Sequence, residues 1–124
     1  MSEKYIIVCD GGKRNSIAYG SYKIFSSDDV VVAHHFMVFG FGTSNTAEYL
    51  ALINAVKYCV QNGYLDLIIR SDSALMLNQV QGNWKTNKPA LRKLRGMARL
   101  ELSKLQNYKL EKIHNKEVKK ILGH

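Results

Sequence analysis

Three acids stand where apolar runs give way to turn or cap chemistry: Asp10 in Cys9-Asp10-Gly11-Gly12, Glu48 in Thr43-Ser44-Asn45-Thr46-Ala47-Glu48-Tyr49, and Asp72 in Arg70-Ser71-Asp72-Ser73. Taken singly, each has an ordinary structural use. Asp10 suits the turn of Asp-Gly-Gly, Glu48 a first-turn partner for a helix dipole, and Asp72 a helix cap. Gathered into one pocket they would do something else. Crowded carboxylates repel, so such a cluster demands protons or cations. Magnesium and manganese meet that demand with oxygen ligands and keep positions for water and a substrate phosphate. Two such ions roughly 4 Å apart can activate a water and stabilise the leaving oxygen of a phosphodiester.

The elements around these acids decide whether they meet. Tyr5 to Cys9 is a short apolar run, a buried strand closed by the Asp10-Gly11-Gly12 turn. Residues 17–26 and Val30 to Phe39 are a second and third strand, separated by Ser26-Ser27-Asp28-Asp29, and the three make an antiparallel meander. Asn45 or Thr46 caps a helix that runs to about Gln61 and stops at Asn62-Gly63. Tyr64 to Arg70 is a fourth strand. A short helix follows from about Ser73 to Val80, then a linker with Trp84, then an amphipathic helix from Pro89 to about Leu105. Lys109 to His114 is a fifth strand, followed by a short basic helix.

This order, β-β-β-α-β-α-α-β-α, predicts a single α/β domain: a five-stranded mixed sheet with helices on both faces. Strands one and three of a meander point the same way. A crossover helix after strand three therefore feeds a fourth strand parallel to the first. The end of strand one at Asp10, the start of the helix at Glu48 and the end of strand four at Asp72 then share one sheet edge, where ligands of open α/β sheets bind.

Composition narrows the function classes. At 124 residues, 46% hydrophobic and 23% charged, the chain is sized and composed for one folded domain. No run approaches the roughly 20 apolar residues of a membrane span, and Tyr5 to Cys9 is too short for a signal-peptide core. Cys9 and Cys59 lie in apolar runs, as buried thiols of a reducing cytoplasm do. We therefore expect a cytoplasmic monomer. The charge is lopsided: from Lys85 onward there are twelve basic and three acidic residues, against six and seven before it. A basic end beside an acidic pocket fits a polyanion that is gripped by one and cut by the other.

The three acidic segments resemble, in order and at similar separations (38 and 24 residues), the three consecutive motifs of type I ribonuclease H. The resemblance is close over residues 4–81 and loose beyond. It implies metal-dependent hydrolysis of the RNA strand of RNA–DNA hybrids, leaving 5′-phosphate and 3′-hydroxyl ends, at a two-ion Mg2+ or Mn2+ site. It further implies that Asp10 bridges the ions, that Glu48 serves the leaving-group side, and that Asp72 holds the water-activating ion. Gly11, Gly12 and Lys13 would lie against the nucleic acid, and Asn45 would read the minor groove, where 2′-hydroxyls mark RNA. Asn45 can equally be the helix cap. Trp84 and Lys85 are further candidate contacts. Arg92, Arg95 and Arg99 share one helix face as a phosphate handle or as a solvated stripe.

The family's fourth acid is missing. Laying Asn115-Lys116-Glu117-Val118 on the family's last motif puts Lys119 in its place; counting from strand five puts it near His124. We take His124 as the candidate catalytic and metal-binding residue, since imidazole can bind these ions or relay a proton. His114 is a second candidate relay. His34 and His35 alternate across a strand and are not expected to share a metal. The missing acid leaves two alternatives: a hybrid-binding module without catalysis, and a related nuclease acting on another duplex or junction.

Overall fold

A computed structural model describes residues 3–123. The elements follow the expected order: β1 (Lys4–Arg14), β2 (Ile17–Phe25), β3 (Val31–Phe41), α1 (Ser44–Gln61), β4 (Asp66–Ser71), α2 (Ala74–Gln81), α3 (Pro89–Leu102), β5 (Asn107–Lys112) and α4 (Asn115–Leu122). The sheet order is β3-β2-β1-β4-β5. β1, β2 and β3 pair antiparallel, while β4 runs parallel to both β1 and β5.

Alternation along β1 divides the core. Ile7 and Cys9 join the main cluster with Leu52, Val56 and Cys59 of α1, Ile69 of β4, and Leu91, Ala98 and Leu102 of α3. Val8 points the other way and packs on Val118 and Leu122 of α4. Helices therefore cover both faces. Nine residues of α1 are buried, which is why its apolar positions occur around most of its circumference rather than on one stripe. Each fully buried Leu or Ile contributes roughly 1.5–3 kcal/mol of transfer free energy.

Several boundaries differ from expectation. β1 does not stop at Asp10; Asp10, Gly11 and Gly12 pair with Ser21, Gly20 and Tyr19 of β2. The turn lies at Asn15 and Ser16, both at positive φ (51° and 66°), the backbone of a tight two-residue hairpin whose twist matches its strands. The β1–β4 ladder, however, ends at Val8 and Arg70. Asp10 thus lies just past the point where β1 parts from β4, and the edge argument survives. The cap of α1 is Thr43: its side chain accepts from the Thr46 N–H while the Thr46 hydroxyl accepts from the Thr43 N–H, a reciprocal box. β5 starts two residues early, where Asn107 pairs with Asp66 of β4, and ends two residues early, because His114 caps α4 instead of extending the strand.

Candidate active site

The three acids meet. Carboxylate oxygens of Asp10, Glu48 and Asp72 all lie within 4.8 Å of one another. Asp10 comes from the stretch of β1 beyond β4, Glu48 from the first turn and a half of α1, and Asp72 from the residue after β4. Gly11 sets the spacing between the first two. A Cβ there would lie 2.3–2.5 Å from backbone atoms of Ala47 and Glu48, so only glycine lets α1 seat this closely on β1. Its smallness is used inward, against the helix. At Gly12 a Cβ would meet only the movable Tyr19 side chain, at 2.7 Å.

Glu48 is the most constrained of the three. It is 9% exposed, and its Oε1 accepts the Gly11 N–H at 2.5 Å. Burial first, then the charges of Asp10 and Asp72, push its carboxyl up to about 9, against the pull of the Gly11 N–H. Without a cation, Glu48 therefore holds its proton at neutral pH. A divalent ion would replace that proton and neutralise the pocket, and an all-oxygen donor set is what hard ions of the magnesium type take.

Asn115 was not anticipated as part of the site. Its amide donates to Asp72 Oδ2 and orients that carboxylate from the first residue of α4. The signal was present in the sequence, an asparagine at a predicted helix start, but only the fold shows which acid it reaches. His114 is spent on the helix: its Nδ1 accepts the Lys116 N–H at 3.1 Å. Lys119 lies one helical turn beyond Asn115 on the same side of α4. His124 lies outside the described residues.

The predicted nucleic-acid contacts divide. Asn45, released from capping, lines a cleft of about 280 Å³ with Leu75, Gln79, Lys85, Asn87 and Lys88. Gln79 forms its floor and is a second unanticipated residue: it accepts from the Tyr49 hydroxyl (2.7 Å) and donates to the Lys85 carbonyl (3.2 Å). It thereby ties the 82–88 linker to α1. Trp84, within this linker, is exposed, and Lys13 is exposed on the β1–β2 hairpin. The α3 stripe is not uniform. Arg99 Nε donates to the Val80 carbonyl near the end of α2 (3.0 Å), and Arg95 donates to Thr86 Oγ1 (3.3 Å). These two brace α2 and the linker, Arg99 while still exposed, whereas Arg92 is exposed on the outer side. His35 is held by Tyr22 (2.6 Å from its hydroxyl to Nδ1) and Tyr58, with His34 on the opposite face of β3, as alternation requires.

Comparison with known proteins agrees with this geometry. The family model described as reverse transcriptase-like matches residues 13–120. Ribonuclease HI of Halobacterium salinarum is 38% identical over 92 residues, covering 73% of this chain and 46% of that protein. The chain thus spans about half the length of that curated relative, and 26% of the mycobacterial ones it matches. The crystal structure of RNase H1 from the same archaeon superposes with a TM-score of 0.90 at 30% identity, covering 94% of this chain and 89% of that one. LC11-RNase H1, a metagenomic protein from compost solved with an RNA/DNA hybrid, superposes with a TM-score of 0.83 at 25% identity, over 94% and 89% of the two chains. No described helix is long and apolar enough to cross a membrane. By its sheet order, its three gathered carboxylates and these likenesses, the chain belongs to the type I ribonuclease H family.

Proposed function

We propose that this protein is an endonuclease that hydrolyses the RNA strand of RNA–DNA hybrids, leaving 5′-phosphate and 3′-hydroxyl ends. The convergence of Asp10, Glu48 and Asp72 carries the reading. The cluster fits Mg2+ or Mn2+ as a two-ion site, and such ions when bound would supply an activated water and charge neutralisation at the phosphate. Asp10, Glu48 and Asp72 would hold the ions, and Asn115 positions Asp72 for that task. Asn45 presents its amide in the cleft beside α1, suited to the 2′-hydroxyl edge of a hybrid, while Gln79 beneath it holds the linker in place. Lys85, Lys88 and Arg92 grip phosphates along the rim, with Lys13 and Trp84 as outer contacts. A related RNase H1, LC11, has been solved with an RNA/DNA hybrid, which supports this choice of substrate. His124 is the proposed replacement for the family's fourth acid. The protein acts as a monomer in the cytoplasm, a compartment that suits its two buried free cysteines.

The test is cleavage of matched RNA–DNA hybrid, RNA duplex and DNA duplex with Mg2+ or Mn2+, beside Asp10→Asn and His124→Ala. Cleavage of the hybrid alone, abolished by chelator and by Asp10→Asn, is expected. Cleavage indifferent to both would refute the reading. Lys119 in the place of an acid favours one alternative, a hybrid-binding module: tight binding with no cleavage under Mn2+ would establish it.

A further inference from the structure

The described helices cover only half of the sheet face that carries Asp10. α4 packs over Val8 and reaches Lys23, whose ammonium donates to the Ile121 carbonyl at 3.2 Å. Asp10 is two residues past Val8 and so faces the same side. Pairing then sets Ser21 and Phe36 in one row with Asp10, and Tyr19 and Val38 in the next row, with Gly12. No described helix lies over this second half.

What stands there is aromatic and apolar. The Tyr19 and Phe36 rings stack with centroids 5.8 Å apart, and Phe36 and Val38 are 61% and 66% exposed. Arg14, Asn15 and Ile17 complete a groove of about 450 Å³ with them. Phe36 is two strand spacings from Asp10 across the sheet, roughly 10 Å. The groove's own charge is basic: Arg14 lines it and Lys13 precedes it on the hairpin, while the carboxylates lie to the other side of Phe36. A second copy docking here would set like charges against each other. A polyanion with flat rings would satisfy both features.

We propose that this groove binds unpaired nucleotides continuing from the duplex at the carboxylate site, with a base stacked on the Tyr19–Phe36 platform and Arg14 on the phosphates. This rests on the hybrid reading of the site and extends it to hybrids with a single-stranded flank. Base–aromatic stacking of this kind tolerates any sequence, and losing one platform lowers affinity about tenfold.

The test is anisotropy binding, with chelator present to prevent cleavage. The probes are a blunt hybrid, the same hybrid with DNA or RNA overhangs of about eight nucleotides, and the overhang strand alone, each against the unmodified protein, Phe36→Ala and Arg14→Ala. We expect overhangs to raise affinity about tenfold, and both substitutions to remove that gain while leaving blunt-hybrid affinity and melting temperature unchanged. The lone strand should lose binding with Phe36→Ala as well. Equal affinity for blunt and overhanging probes, or a gain that survives Phe36→Ala, overturns the proposal. So does a dimer in sedimentation that Phe36→Ala converts to monomer, which would assign the groove to a second copy. Failure to bind any blunt hybrid would instead count against the hybrid reading, and the lone-strand arm would still decide the groove.

Discussion

Two clusters of like charge lie on this small domain, and the protein treats them oppositely. On α3, Arg95 and Arg99 are given partners by the fold itself, a threonine hydroxyl and a helix-end carbonyl. At the sheet edge, Glu48 and Asp72 are met by neutral donors, the Gly11 N–H and the Asn115 amide. These orient the carboxylates without neutralising them. Neutral partners serve both, so the difference is spacing and burial: the arginines are strung along a helix with water beside them, while three carboxylates within 4.8 Å of one another are left needing a cation from outside. Formal charge alone does not distinguish them.

The contrast can be broken most forcefully at the acids. Asp10→Asn or Asp72→Asn should lower hybrid cleavage by about 10²- to 10³-fold or more and yet raise the melting temperature of the metal-free protein, because each removes repulsion. A fall in both would mean that the acids are structural. Gly11→Ala should be the most damaging change to the fold nearby. The added methyl meets α1 backbone, at a cost of about 1–3 kcal/mol or more in denaturant unfolding. A neutral outcome would show that α1 can shift away from β1 at no cost.

A pH series sharpens the same comparison. In the folded, metal-free protein the Glu48 carboxyl is raised from 4.5 to about 9, so between those values the folded state keeps a proton that the unfolded chain releases. Raising the pH through that window therefore favours unfolding. Melting temperature should fall from pH 5 to 9 without metal, and the fall should shrink in Glu48→Gln or with added Mn2+. A profile that Glu48→Gln leaves unchanged would remove Glu48 as its source.

The smallest effects separate the arginines. Arg99→Ala should cost about 1 kcal/mol of stability through the lost Val80 bond and barely change the salt dependence of hybrid binding. Arg92→Ala should leave stability alone and lower the slope of log affinity against log salt by about one. The reverse pattern would exchange their roles.

Much of this was legible before the fold was known. Periodicity and turn residues give the element order, and the parallel return of β4 follows from the meander, so the meeting of Asp10, Glu48 and Asp72 could be reasoned from topology. What sequence reading missed depends on contacts between distant elements. Asp-Gly-Gly looks like a turn, but those residues have β2 partners, and the actual turn at Asn15-Ser16 shows itself through positive φ. Thr43 outcompetes Asn45 as a cap because Thr46 can return its hydrogen bond. The contacts of Asn115, Gln79, Arg95 and Arg99 are set by the packing of α4, α2 and α3, which no local pattern encodes.

The central claim is that the winding of the chain gathers Asp10, Glu48 and Asp72 into a pocket completed by divalent ions. Calorimetric titration with Mn2+ tests it most directly, comparing the unmodified protein with a variant carrying Asp10→Asn, Glu48→Gln and Asp72→Asn together. The account predicts saturable binding to the former and none to the latter, with the variant still folded and melting at a higher temperature than the metal-free parent. The same isotherm for both proteins would contradict it.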